Sequence, residues 1–258
     1  MPQQLEALRE RHDVERQFHD EKAASAHNSD QRNFYSAGGV DSIWRAYWAA
    51  LGDIQGKSVL DFGCGEGWST LAYARNGAAV YSFDISSESV RNLIHDATRA
   101  GVASCIHPAV MAAEALGYPD EAFDLVLGVS ILHHVDLDCV GAEIARVLKP
   151  GGRALFIEPL SHNWLLQLFR WLTPARRTPT EQPMSVEQIQ QFGKHFGEAR
   201  FQGHALLSTF SQGLLWATGS KWIFLKSLLV TEAIDQWLLR FLPFLQRYCW
   251  SAIIEVRK

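Results

Sequence analysis

Nine residues, Val59-Leu60-Asp61-Phe62-Gly63-Cys64-Gly65-Glu66-Gly67, limit what this chain can fold into more than any other feature. A short apolar run delivers a carboxylate into a G-x-G-x-G turn, and a helix-like stretch, Trp68–Arg75, follows. Glycines spaced in this way let the backbone turn tightly and let a ligand approach with no Cβ in the way. The pattern is not a dinucleotide fingerprint, because that needs glycine where Trp68 stands, and Asp61 and Glu66 would repel a pyrophosphate. A carboxylate just before the glycines suits a ligand that carries an amino group. Taken alone, such a turn is also compatible with a tight loop that binds nothing.

The surrounding pattern supports a ligand. Strand-like and helix-like segments alternate: strands at Ser58–Phe62, Ala79–Asp84, Ala103–Ala109, Phe123–Val129 and Arg153–Glu158, helices at Trp68–Arg75, Ser87–Arg99 and Cys139–Leu148. Alternation of this kind predicts a parallel sheet with helices on both faces. Lys149-Pro150-Gly151-Gly152 is a strong helix stop. About twenty residues beyond the glycines a strand ends at Asp84, where a carboxylate is placed to take both hydroxyls of an adenosine ribose; the plainer alternative is that Asp84 caps the next helix. Before this core, residues 3–22 read as a charged helix with Leu5, Leu8, Val14 and Phe18 loosely on one side, 23–40 as a loop and 41–51 as a helix. After it come an apolar helix at 163–172, a Pro-rich loop at 173–183, a helix at 185–196 opened by a Ser185/Gln188 capping box, and two late strands at 199–207 and 249–256.

Charge divides the chain in a parallel way. Residues 58–160 hold 6 Lys/Arg against 13 Asp/Glu, a net −7, whereas residues 161–258 hold 11 against 6, a net +5, together with 6 of the 9 tryptophans. The whole is mildly acidic at −4, which argues against general nucleic-acid binding. The four cysteines form no C-x-x-C pair, so they read as reduced, mostly buried thiols of a cytoplasmic protein. The charged stretch Met1–Glu21 has no apolar signal-peptide core, and Lys221 and Lys226 interrupt Gly213–Val230, so no membrane span is expected.

With the glycine turn, Asp84, Ala113-Glu114-Ala115-Leu116 and Leu148-Lys149-Pro150-Gly151-Gly152 in this order, residues 57–160 resemble the class I S-adenosylmethionine-dependent methyltransferases, in particular the small-molecule branch that includes quinone-type C-methyltransferases. The resemblance implies an α/β, Rossmann-like sheet of seven strands with the last one antiparallel and helices on both faces. An N-terminal helical cap (1–56) would precede the core (57–160), and acceptor-side helices, a helical insertion (about 210–247) and the final strands (161–258) would follow. It implies S-adenosyl-L-methionine as cofactor, with Asp61, Gly63, Cys64, Gly65 and Gly67 around its methionine part, Asp84 on the ribose, Ile85 against the adenine, Ala113 and Glu114 at the adenine edge and Val129 under the methionine. Relatives carry Asp where Ala112 stands, so one adenine hydrogen bond is absent or Glu114 replaces it.

Methyl transfer from a sulfonium needs alignment and dryness, and a base only where the acceptor holds a proton of high pKa. The candidates lie after the fourth strand, in Ser130-Ile131-Leu132-His133-His134-Val135, with His134 preferred over His133; fixing the loop is the plain alternative for either. Glu158, at the end of the fifth strand, is placed to orient an acceptor, to bind His134 or to make a structural hydrogen bond. His19, Asp20 and Tyr35 belong to a segment that in relatives often folds over the cofactor. No set of Asp, Asn and His at metal-ligand spacing stands out, so no metal is expected.

Acceptor choice falls to the additions. Ile234, Trp237, Leu238, Phe241, Leu242 and Leu245 form one wide apolar stripe, which Pro243 should kink. The stripe would pack on the neighbouring helix or a second subunit, enclose a lipophilic acceptor together with Trp164, Phe169 and Trp171, or rest on a membrane surface. Arg170, Arg176, Arg177 and Arg247 could bind an anionic group on the acceptor. The expected activity is methylation of a small lipophilic metabolite at oxygen or carbon. The rivals are a membrane-peripheral enzyme of a lipid-linked or glycan substrate, and a regulatory protein that binds the cofactor without methyl transfer.

Overall fold

The structure is a computed structural model that describes residues 2–25, 41–173, 178 and 181–258. Seven strands, β1 (Ser58–Phe62), β2 (Ala79–Asp84), β3 (Ile106–Val110), β4 (Phe123–Val129), β5 (Leu148–Pro159), β6 (Glu198–His204) and β7 (Ser251–Arg257), make one sheet in the order β3-β2-β1-β4-β5-β7-β6. The pairs among β1 to β5 are parallel, and β7 runs antiparallel to both β5 and β6. The expected fold class, with its reversed last strand, is the one observed. The central strands are apolar at nearly every position because both faces are covered. One face packs on α2 (Asp41–Leu51), α3 (Trp68–Arg75) and α4 (Ser87–Arg99), the other on α5 (Leu137–Val147) and α7 (Val186–Gly193).

Local chemistry sets where these helices begin. Ser86 caps α4 and accepts from the Ser89 N–H, Asp136 caps α5, and Ser185 with Gln188 forms the expected capping box of α7. Several boundaries differ from expectation, two of them at β3 and β5. Residues 103–105 form a 3₁₀ turn, so β3 begins only at Ile106. β5 begins at Leu148 rather than Arg153, because Leu148 pairs with Phe123 and the Lys-Pro-Gly-Gly segment bulges out before pairing resumes at Arg153, with Gly151 at φ 76.

The N-terminal helix α1 (Pro2–Ser25) crosses the C-terminal ends of the strands. Its inward face is polar: Glu15 and Ala23 are buried and His12 and His19 half-buried, while Val14 is exposed, contrary to the apolar side read from the sequence. The insertion between β6 and β7 holds α8 (Phe210–Thr218) and α9 (Lys221–Phe241), with α6 (Trp164–Leu172) nearby through a Trp164–Phe210 ring contact. The break between α8 and α9 falls at Gly219, at φ 64, and Pro243 does not kink a helix but opens a 3₁₀ turn, Pro243–Tyr248, after α9 has ended. The rotation of α9 is set by Asp235, whose buried carboxylate accepts from the N–H groups of Leu206, Leu207 and Ser208. Phe224 and Leu228 are buried with it, which leaves Ile234, Trp237 and Phe241 of the stripe facing outward. The stripe therefore does not pack on α8. Two of the cysteines, Cys105 and Cys139, are exposed rather than buried.

Candidate functional site

The glycine turn sits at the C-terminal end of β1. Gly63, Gly65 and Gly67 have φ of 73, 48 and 76, a region that disfavours side chains. A Cβ on Gly63 would meet Ile131 at 2.7 Å and one on Gly67 would meet Leu93 at 2.6 Å, whereas nothing lies within 4 Å of a Cβ on Gly65. The outer glycines are thus packing positions and the middle one opens onto space a ligand could fill. Cys64 is buried between them, its N–H bonded to the Phe83 carbonyl, and burial pushes its thiol well above the usual range.

Asp84 ends β2 beside this turn. One carboxylate oxygen accepts from the Gly65 N–H at 2.8 Å and the other from the Ser86 N–H at 2.9 Å. The helix cap is Ser86, so Asp84 is not spent on that role. Each of its oxygens keeps a lone pair for one of two vicinal hydroxyls. Asp61 is turned beneath the turn instead, where it accepts from the Ser69 and Thr70 hydroxyls. Burial raises its pKa to about 6, although both hydroxyls act in the opposite direction. Ile85 is half-buried and Ala113 buried nearby. Glu114 is already engaged, by His12 of α1 at 2.9 Å and the Asp136 N–H at 3.1 Å.

At the end of β4, three strands from β3, the chemistry changes. Val129 closes β4 and is followed by Ser130 at φ 55, a left-handed conformation rare for a residue with a side chain. The next turn, Leu132–His134, presents both histidines. Glu158 lies against it with no measurable exposure: one oxygen accepts from the Ile131 and Leu132 N–H groups at 2.8 and 2.7 Å, and the other is 2.6 Å from His133 Nδ1. Glu158 therefore pairs with His133, not with His134. His134 Nδ1 is 3.1 Å from Glu15 Oε2 of α1, and His19 Nε2 is 3.6 Å from the same oxygen. Burial lowers the pKa of His134, with Glu15 acting in the other direction. The other Glu15 oxygen accepts from the Thr178 hydroxyl at 2.8 Å. A cleft of about 470 Å³ opens beside His133, lined by Arg11, Val135, Leu137, Gln182, Met184 and Gln188.

Of the other residues singled out, Asp20 bonds the Ser86 hydroxyl and the Glu88 N–H. Arg170 is paired with Glu181 and Arg247 with Glu187. Tyr35, Arg176, Arg177 and the side chain of Phe169 lie outside the described residues. Glu15, Thr178 and Glu181 were not singled out, and they complete the histidine end; His12, also not singled out, bonds Glu114. The one available signal was the spacing of Glu15 and His19, which places both on one helix face. Two overlapping sets, Glu15/His19/His134 and His133/His134/Glu181, bring possible metal-ligand atoms within 4.8 Å of one another. No helix among the described residues is long and apolar enough to cross a membrane.

Residues 60–156 match the family described as "Methyltransferase domain". The ubiquinone biosynthesis O-methyltransferase of Sodalis glossinidius is 34% identical over 121 residues, 45% of this chain and 48% of that protein. The ubiquinone/menaquinone biosynthesis C-methyltransferase of Hydrogenovibrio crunogenus is 34% identical over 139 residues, 52% of this chain and 54% of that one. The chain thus spans about half the length of the curated relatives it matches. Among solved structures, geranyl diphosphate C-methyltransferase from Streptomyces coelicolor, in complex with Mg²⁺, geranyl diphosphate and S-adenosyl-L-homocysteine, aligns with a TM-score of 0.57 over 84% of this chain and 78% of that chain, at 15% identity. That likeness concerns the fold.

Proposed function

We propose that this chain, whose core is a methyltransferase domain with the class I fold, binds S-adenosylmethionine at the glycine-turn end of the sheet and transfers its methyl group to an oxygen or carbon of a small, largely apolar acceptor at the histidine end. The observation that carries this reading is Asp84: a strand-end carboxylate held by two backbone N–H groups, next to the middle glycine of the turn, which opens onto space. Ile85, Ala113 and Glu114 flank it on the adenine side of the proposed pose, with Gly63, Cys64, Gly67, Asp61 and Val129 toward the methionine side. Bound there, S-adenosylmethionine supplies a methyl carbon already activated by a sulfonium, so the protein's task is alignment and exclusion of water.

His133 is placed to take an acceptor's proton. Glu158 holds its Nδ1, fixing the ring so that Nε2 carries the lone pair. His134 stacks on it with ring centroids 4.2 Å apart and closes the other side of the space with Glu15. Four unpaired thiols fit a reducing compartment, which favours the cytoplasm. The test is calorimetric titration with S-adenosylhomocysteine, followed by incubation of methyl-labelled cofactor with fractionated lipid and metabolite extracts. Label appearing in an acceptor supports the reading. Tight binding with no labelled product from any fraction supports a regulatory protein instead.

A second reading places the enzyme on a membrane surface, acting on a lipid-linked acceptor. It is favoured by an aromatic face on α6, α8, α9 and the turn after it: Trp164, Trp171, Trp216, Trp222, Trp237 and Phe244 are all at least 60% exposed. Lys221, Lys226 and Arg240 are exposed on the same helices, while Glu232 and Asp235 turn inward. Tryptophan and basic residues on one surface suit an anionic interface. Co-sedimentation with anionic vesicles checks this; a dimer by light scattering without vesicle binding would assign the face to self-association.

A further inference from the structure

We propose that Glu15, His19 and His134 form a binding site for a divalent transition-metal cation of the zinc type. Glu15 and His19 are four residues apart on α1, so both project from one helix face, and His134 meets them from the turn after β4. The separations are those of ligands around one ion. Glu15 Oε2 is 3.1 Å from His134 Nδ1 and 3.6 Å from His19 Nε2, where bonds of about 2.0–2.1 Å in tetrahedral arrangement put neighbouring ligand atoms about 3.3 Å apart. Two imidazoles and one carboxylate are the donor set that zinc, cobalt(II) and iron(II) accept, and their summed charge of −1 favours a dication. The carboxylate is oriented as metal-bound carboxylates are, since its other oxygen takes the Thr178 hydroxyl. Glu15 is 5% exposed, so an ion there would be shielded from bulk water.

The overlapping set is the weaker one. Its carboxylate, Glu181, is already neutralised by Arg170. Three protein ligands leave at least one coordination position, which an oxygen of water or of a hydroxylated acceptor could take. This assignment requires no step of methyl transfer; it concerns uptake of an ion by the folded chain.

The test uses the full chain, stripped with a chelator, dialysed and titrated with Zn²⁺ by calorimetry and with Co²⁺ by visible absorption. One ion per chain at micromolar or tighter affinity is expected. Glu15→Gln, His19→Ala and His134→Ala should each weaken it about a hundredfold or more and abolish the Co²⁺ bands, while His95→Ala, on α4, should change nothing. Circular dichroism and S-adenosylhomocysteine affinity on the same samples report whether each variant is folded; if His134→Ala is not, the two α1 variants decide. Wild-type protein that takes up no Zn²⁺, or takes it up unchanged in Glu15→Gln and His19→Ala, overturns the site. Zinc uptake without S-adenosylhomocysteine binding would sink the proposed function and leave this site standing.

Discussion

At the glycine-turn end of the sheet the important contacts are short-range: Asp61 reaches Ser69 and Thr70 within nine residues, and Gly65 reaches Asp84 across nineteen. At the histidine end the partners come from far apart. Glu15 meets Thr178 across 163 residues, and Glu158 meets His133 across 25. The first end is a turn whose geometry is dictated by its own glycines. The second is a convergence of α1, the turn after β4, the end of β5 and the segment before α7, and it exists only once the whole sheet has formed. The proposed cofactor end is thus encoded locally, and the histidine end depends on long-range convergence.

That contrast can be broken by substitutions that act on one end alone. The largest effect is expected from Glu158→Gln. The amide would keep its oxygen on the Ile131 and Leu132 N–H groups and offer an N–H to His133 Nδ1, which forces the opposite tautomer and removes the lone pair from Nε2. Turnover should fall about 10²- to 10⁴-fold with S-adenosylhomocysteine affinity unchanged; a parallel loss of cofactor affinity would show that the two ends are not separable. Asp84→Ala comes next. Loss of two charge-assisted hydrogen bonds, each about 1.5 kcal/mol or more, should weaken cofactor binding about a hundredfold without unfolding, and an unchanged calorimetric Kd would remove Asp84 from the ribose.

A smaller effect is expected from pH. The Asp61 pKa is about 6 in the folded chain against about 3.9 unfolded. Its stabilising contribution is therefore present below about pH 4 and lost as pH rises through about 6, by roughly 3 kcal/mol at most. Relative to wild type, Asp61→Asn should gain stability across that window, read from urea midpoints between pH 4 and 7. If saturating S-adenosylhomocysteine narrows the difference, the buried carboxylate senses the ligand's ammonium. The smallest effect belongs to the aromatic face: replacing Trp216 and Trp237 by Ser should change stability by less than about 0.5 kcal/mol, since both are largely exposed. A large loss would mean that they pack on something in the native assembly.

Legibility in the sequence follows the same division. The glycine turn, Asp84, the α4–β5 alternation and the capping box were readable because each is encoded within a short window. The polar inner face of α1 was not, because nothing near Glu15 reveals that His134 and Thr178 will stand opposite it. Of the alternatives for Glu158, the structural hydrogen bond is present, to the Ile131 and Leu132 N–H groups, whereas its histidine partner is His133 and not His134: in the 3₁₀ turn at Leu132–His134 the two adjacent rings point to different partners, and only the turn's conformation decides which faces β5. Ile234, Trp237, Leu238 and Phe241 of the stripe do share α9, but Leu242 and Leu245 fall beyond its end, and the direction of the face depended on Asp235 and three distant N–H groups. Periodicity says that a face exists and not which way it points.

Helix α1 touches both ends. Asp20 holds Ser86 and Glu88, His12 holds Glu114, and Glu15 holds His134, all within three turns of one rigid rod. Free-energy changes at the two ends will therefore not be independent wherever α1 is involved. A double-mutant cycle between His12→Ala and His134→Ala should show a coupling energy, whereas one between Asp84→Ala and Glu158→Gln, which share no α1 contact, should be close to additive.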